Sequence, residues 1–398
     1  MHPVAAYILF FVAALLPFWL ASKRKCELIA DSDYKDPGSD NINSLRGIAA
    51  ILVALHHAVF AWNYYHNGHW SLVEGNNFFS QGMNYPLITL ASFGYIPVML
   101  FFMITGFLFA NHSIKNNGID IPSFYYKRFC RLVPQYLFVT VIVLFVTYAM
   151  GTKPATTFID IFRFILSWLT FGFVEPVSFS PNYRGSLIVA GVIWTLAYEW
   201  MFYLLFPSIV AFIFLFRNKV LCMAVAIAII VLFCKTGIVN EKNATLTLCF
   251  AFGILAALVH EYYPALKRIF ISKAFMMFSI AALVIMVLGL KYKAYSLYAS
   301  PLLFPLFISV ASGASLLGLL KITPVRLAGT ASYSLYLLHG VIYASVFTWT
   351  NLAFIPGVTL SLLIISTISI LTYTWIERPF IKKGKKAFYG YTPAKSGE

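Results

Sequence analysis

Long apolar stretches alternate with short polar connections along the whole chain. Runs of about twenty largely apolar residues, the length that crosses a ~30 Å hydrocarbon layer, start near residues 3, 45, 88, 134, 194, 219, 245, 274, 299, 331 and 357. The pattern predicts an all-α polytopic membrane bundle of about 11 transmembrane helices. One further stretch, residues 157–173, carries Asp160 and Arg163 and is barely long enough to cross. Cytoplasmic loops retain Lys and Arg, and that asymmetry decides its path. With the N-terminus outside and 157–173 not crossing, inner loops and the tail hold 21 of the 29 Lys and Arg, outer loops hold seven, and Arg46 stands at a helix entrance. A crossing there would invert every later loop and put the basic tail outside. The segment near 157–173 is therefore expected to be re-entrant or interfacial, inside a long outer loop of about 151–192, and the C-terminus cytoplasmic. Lys23, Arg24 and Lys25 follow the first apolar run instead of preceding it, which favours a retained helix over a cleaved secretory signal.

Composition narrows the class further. Of the 398 residues, 11% are charged. A soluble domain carries about 25%. Aromatic residues reach 18%, which excludes disorder. The net charge of +15 would suit a nucleic-acid binder on a polar chain. On this apolar one it reads as basic loops held at anionic membrane lipids, with no nucleic-acid partner. The five cysteines show neither CxxC nor metal spacing, so no metal is expected. No phosphate loop, dinucleotide turn, zinc helix or nucleophile elbow occurs, leaving no machinery for direct nucleotide hydrolysis.

Charges placed at membrane depth are costly and ask for a partner or a function. Arg46 and His57 lie eleven residues apart on one predicted helix. That separation is about 16 Å of rise and nearly three full turns, so both share a face. Arg46 then sits at the inner boundary, where a guanidinium can meet phosphate. His57 sits at mid-depth, where an imidazole can act as a general base. His56 is about 100° away. Phe101 to Phe107 contains Thr105-Gly106, a small-residue notch suited to close helix packing. Lys127, Arg128 and Arg131 form an inner-face cluster suited to phosphates; a topogenic or lipid-binding cluster has the same composition. Glu199 stands in the aromatic run Trp194–Pro207, with Tyr203 one turn on, where it needs a cation, a His or a bound hydroxyl. Ser334, Tyr336 and His339 follow at helical spacing, and Glu377-Arg378-Pro379 closes the last span, with an interfacial ion pair the expected use of its two charges. The outer loop Tyr64–Tyr85 lacks Lys and Arg and is rich in Asn, Gly, His and aromatics, a composition compatible with sugar contacts.

These elements, in this order, resemble the integral-membrane acyltransferase 3 family. The family's Arg-X10-His pair is Arg46 and His57. Its Phe-Phe-x-x-Ser-Gly-Phe element is similar to Phe101–Phe107, with Thr105 for Ser. Its basic run before Pro-x-Tyr is similar to Lys127–Tyr136, its Trp-Ser-Leu-x-x-Glu element to Trp194–Leu204, and its Ser-Tyr-Ser-x-Tyr-Leu-x-His element to Ser332–His339. The likeness runs from Asn41 to about Lys383. It implies a ten-helix core with one extra N-terminal helix here, and three sections: 1–40, a helix and cytoplasmic linker; 41–383, the acyltransferase domain; 384–398, a basic tail. The esterase-like domain that some relatives append is not seen.

The resemblance further implies transfer of an acyl group, usually acetyl, from cytoplasmic acyl-CoA to a carbohydrate or glycolipid hydroxyl, most often in a bacterial inner membrane. On that reading Arg46, Lys127, Arg128 and Arg131 hold the donor's phosphates. His57 deprotonates the acceptor or is briefly acylated, with Arg46 and Glu199 completing the catalytic set. His339, Tyr203 and Ser334 meet the acceptor. The rival class is a non-enzymatic transporter or flippase of glycolipid precursors, whose two similar halves with broken helices are not visible here.

Overall fold

Apolar length decides most of the elements. The computed structural model describes residues 3–23, 37–71, 84–151, 157–177, 184–289 and 295–387, and these contain helices and no strand. In chain order the helices are α1 (Pro3–Lys23), α2 (Pro37–Asn67), α3 (Asn84–Lys115), α4 (Ile121–Ala149), α5 (Phe158–Leu169), α6 (Gly185–Ile188), α7 (Trp194–Phe214) and α8 (Lys219–Lys235). They continue as α9 (Glu241–Tyr262), α10 (Lys267–Phe270), α11 (Lys273–Gly289), α12 (Ala299–Ala311), α13 (Thr323–Thr330), α14 (Ser332–Trp349), α15 (Phe354–Thr372) and α16 (Arg378–Lys386). A single π-helical turn, Tyr373–Glu377, joins the last two.

Each of the eleven apolar runs falls on a helix. Among the described residues, seven helices are long and apolar enough to cross a membrane, and α10 with α11, bent by 68°, makes an eighth candidate. Reaching eleven crossings requires α8 (17 residues), α12 (13 residues) and α14, which carries Ser332, Ser334 and His339. The chain is a multi-pass helical membrane protein.

Small residues set the closest helix contacts. Gly106 of α3 faces the Phe250 carbonyl of α9, and Gly253 of α9 faces the Met103 carbonyl of α3, each too close for a methyl group. Around this seam the Phe250 ring stacks on Phe102 and Phe202, centroids 4.5 and 4.1 Å away. The N-terminal helix packs Ala6, Ala13 and Ala14 inward and leaves Val4, Ile8 and Val12 outward, as expected of a helix at a lipid boundary. Ser366 of α15 donates to the Ala14 carbonyl at 2.7 Å, tying α1 to the bundle.

The loop between α4 and α7 divides into two pieces. Helix α5 starts at a capping box in which Thr157 and Asp160 satisfy each other's backbone N–H groups, closing off the helix's first turn. It is 12 residues long. Such a helix rises about 18 Å, short of a crossing. Phe164 and Trp168 are buried while Phe158, Phe162 and Leu166 are exposed. The second piece, α6 and the turn into α7, enters the core: Ile188, Val189, Val192 and Ile193 are at most 2% exposed. Gly340 of α14 has no side chain because the Val189–Ala190 backbone passes against it.

Candidate functional site

Three helices bring most of the candidate residues to one end of the bundle. Arg46 belongs to the first turns of α2. On α4, Phe124, Arg128 and Arg131 recur at i, i+4 and i+7 and share one face. Glu199 and Tyr203 are one turn apart on α7. All six line a cavity of about 580 Å³. Its wall on α3 runs from His112, near the helix's end, to Val98. Fourteen helical steps separate the two, a depth of about 21 Å. The cavity is therefore a shaft, not a dimple.

Within it the Tyr203 hydroxyl donates to the Glu199 carboxylate at 2.5 Å. Arg128 lays its guanidinium over the Phe109 ring, 4.4 Å from the centroid, a cation–π contact that fixes its plane. Glu199 thus shares the shaft with Arg46, Arg128 and Arg131 and takes its hydrogen bond from the hydroxyl of Tyr203. Lys127 is not among the lining residues. It lies about 100° round α4 from Arg128. There it meets the seam with α16, its Cα 3.6 Å from where a Cβ on Gly384 would sit.

The deep end closes on hydroxyl groups. Thr195 and Tyr336 are both lining residues, and their hydroxyls are 2.7 Å apart. Thr195 also donates to the Val192 carbonyl at 2.9 Å, so the buried turn before α7 anchors this pair. The Tyr336 ring lies 6.1 Å from the ring of His339.

Beyond that layer stands an imidazole pair. Nε2 of His339 is 3.1 Å from Nδ1 of His57, and the rings stack at 5.1 Å. Nδ1 of His339 approaches the Leu335 carbonyl at 3.3 Å. A carbonyl only accepts, so Nδ1 of His339 carries its proton and Nε2 is bare. His57 then donates from Nδ1, which leaves its own Nε2 with an open lone pair. His57 lies on α2, and its partner is 282 residues away. On its far side His57 meets Trp70, 6.1 Å between centroids, and His56, 4.9 Å. Gly94 of α3 leaves the room that the His56 ring occupies. Of the aromatic outer loop, 72–83 lie outside the described residues, as do 388–398 of the tail.

Ser334 does not reach the cavity. Fully buried, it donates to Glu377 and receives a hydrogen bond from Thr372 at 3.0 Å, which ties α14 to the π turn. The expected interfacial role of Glu377 gives way to this one, because the π turn rotates Glu377 inward, where it is 1% exposed. The same turn directs Arg378 into the cavity, followed by Lys382 and Lys385 of α16. Of these three, Arg378 was expected in an interfacial ion pair and only Lys385 falls within the basic tail of 384–398; their i, i+4, i+7 spacing marks a common face.

The shaft is walled by cations and ends one tyrosine layer from the buried His339 and the half-buried His57, within a polytopic helical membrane protein. Residues 39–376 match the model of the acyltransferase 3 family, described as an acyltransferase domain, and the chain belongs to that family. It is similar to the O-acetyltransferase OatA of Staphylococcus aureus (strain NCTC 8325 / PS 47), 24% identical over 344 residues, covering 77% of this chain and 55% of that protein. It is also similar to the peptidoglycan O-acetyltransferase OatA of Listeria monocytogenes, 22% identical, covering 86% and 56%. Nodulation protein 10 of Rhizobium leguminosarum bv. viciae is 28% identical over 61% of this chain and 65% of its own. The chain thus spans a little over half the length of the OatA proteins. No solved structure gives a significant match.

Proposed function

We propose that the chain is a membrane-embedded O-acyltransferase that moves an acyl group, acetyl above all, from acyl-CoA to a carbohydrate hydroxyl. Acetyl as the group and a glycan as the acceptor take support from the names of the relatives, one of them a peptidoglycan O-acetyltransferase. The observation that carries the reading is the cation-walled shaft ending at Tyr336, next to the His339–His57 pair.

In this scheme Arg46, Arg128 and Arg131 grip donor phosphates while the narrow arm of the donor runs inward along α3. Thr195 spends its proton on the Val192 carbonyl, so Tyr336 is the hydroxyl donor at the deep end, turning from Thr195 to meet the negative charge that develops on the thioester oxygen. His57 takes the acceptor's hydroxyl proton on Nε2, and His339 holds the ring by accepting from Nδ1. The acceptor oxygen forms the ester bond, the carbon–sulfur bond breaks, and the proton passes to the departing sulfur. Glu199, held by Tyr203, offsets the surrounding guanidinium charge so that the phosphates bind without trapping the product.

Incubation of purified protein with radiolabelled acetyl-CoA and a surface-polysaccharide extract tests this reading. Label is expected in the polysaccharide fraction with wild-type protein and at least about 10²-fold less with His57→Gln, the range for loss of a general base. Equal labelling by the two proteins would remove His57 from the chemistry. No transfer to any fraction by folded wild-type protein would favour a carrier over an enzyme.

A further inference from the structure

The cavity holds more cationic groups than a diphosphate requires. Arg46, Arg128 and Arg131 share its wall with Glu199, while Arg378, Lys382 and Lys385 form a separate row on α16. Seven residues along a helix rise about 10 Å. The row therefore extends from the half-buried Arg378 to the exposed Lys385. The azimuths of the three differ by no more than about 60°. Ile381, on the same side, also lines the cavity. Packing fixes this orientation. Gly384 points about 100° away from Lys385. It is buried against Cys130 of α4, where an added Cβ would lie 3.1 Å from the Cys130 Cβ. Lys383 and Lys386, on other faces, are not among the lining residues. Residues 378–386 follow the 39–376 stretch that matches the family model.

We infer that the α16 face is a second phosphate subsite, which takes a phosphomonoester one ribose away from the diphosphate held by Arg46, Arg128 and Arg131. The inference rests on the acyl-CoA reading and adds to it a specific claim: the C-terminal helix recognises the 3′-phosphate of the donor nucleotide. The charges agree. A phosphomonoester carries about −1.5 to −2 at neutral pH, which two lysines at the mouth can match. Lysine suits the role because a point charge on a flexible stem follows a phosphate that enters and leaves with each turnover. A basic helix beside a membrane also attracts anionic lipid headgroups. The row faces the cavity, however, and the phosphate of a soluble nucleotide is the occupant that the cavity admits.

Displacement of labelled acetyl-CoA from the full-length protein in neutral detergent, by CoA and by dephospho-CoA, tests the subsite. Dephospho-CoA, which lacks only the 3′-phosphate, is expected to bind about tenfold or more weakly, the loss of one charge-assisted contact. The difference should close in Lys382→Gln/Lys385→Gln and return in Lys382→Arg/Lys385→Arg. Equal affinities of CoA and dephospho-CoA for wild-type protein would overturn the inference and leave the acyl-CoA reading standing. So would a difference that survives in the glutamine variant. If phosphatidylglycerol added to the micelles erases the difference, the row belongs to lipid and the inference fails. If CoA does not bind at all, the acyl-CoA reading falls first and the subsite with it.

Discussion

The imidazole pair shows what a single side chain gains from its partner. Alone, His57 could carry its proton on either ring nitrogen. With Nδ1 donating to His339, the proton is committed and Nε2 keeps the lone pair that the proposed base role needs. His339 is in turn committed by the Leu335 carbonyl of its own helix. Removing this support should disturb orientation more than binding. His339→Gln is expected to lower kcat by about 10²-fold with the KM for the thioester unchanged. Steady-state kinetics over a series of acetyl-CoA concentrations, with a pH–rate profile, checks the split. A parallel rise in KM would make His339 a binding residue. The spacing of Arg46 and His57 was legible in the sequence because both lie on one helix, where geometry follows from residue count. The partnership of His57 with His339, and of Thr195 with Tyr336 across 141 residues, depends on which helices face each other, and no local pattern encodes that.

Among the elements, the helices were legible as apolar runs, since length and hydropathy are local properties. What the runs do not show is how short pieces enter the bundle. The turn at 188–193 is as apolar as a span yet becomes the anchor of Thr195, and α16 looks like a basic tail until Gly384 seats it against α4. Gly106 was expected to allow close packing and does; its counterpart Gly253 carried no signal of its own, being one small residue in an apolar helix. The α3–α9 seam holds the whole α3 wall of the cavity in place, so widening it should damage stability and site together. Gly253→Val is expected to destabilise the protein by about 1–3 kcal/mol, the range for overpacking a tight contact. Thermal unfolding in detergent should show a lower midpoint, and displacement assays a weaker grip on CoA. An unchanged midpoint would mean that the seam relaxes without cost.

At the scale of the whole molecule, the bundle separates two environments along one axis. Cations from α2, α4 and α16 gather at one end, and the aromatic group of Trp70, Phe60 and His56 covers His57 from the other. Tyr336 lies between them. On the proposed reading, the end that holds the positive charge is the end that the donor enters, which gives the Lys and Arg asymmetry of the loops a functional sense as well as a topological one. It also gives the N-terminal helix a structural place against α13 and α15, remote from the shaft. The most direct test of the account uses proteoliposomes in which the protein has a single orientation, with labelled acetyl-CoA supplied to one face at a time. Transfer of label is expected when the thioester meets the face bearing α16 and not when it meets the opposite face. Transfer from the opposite face, or from both faces equally, would contradict the account.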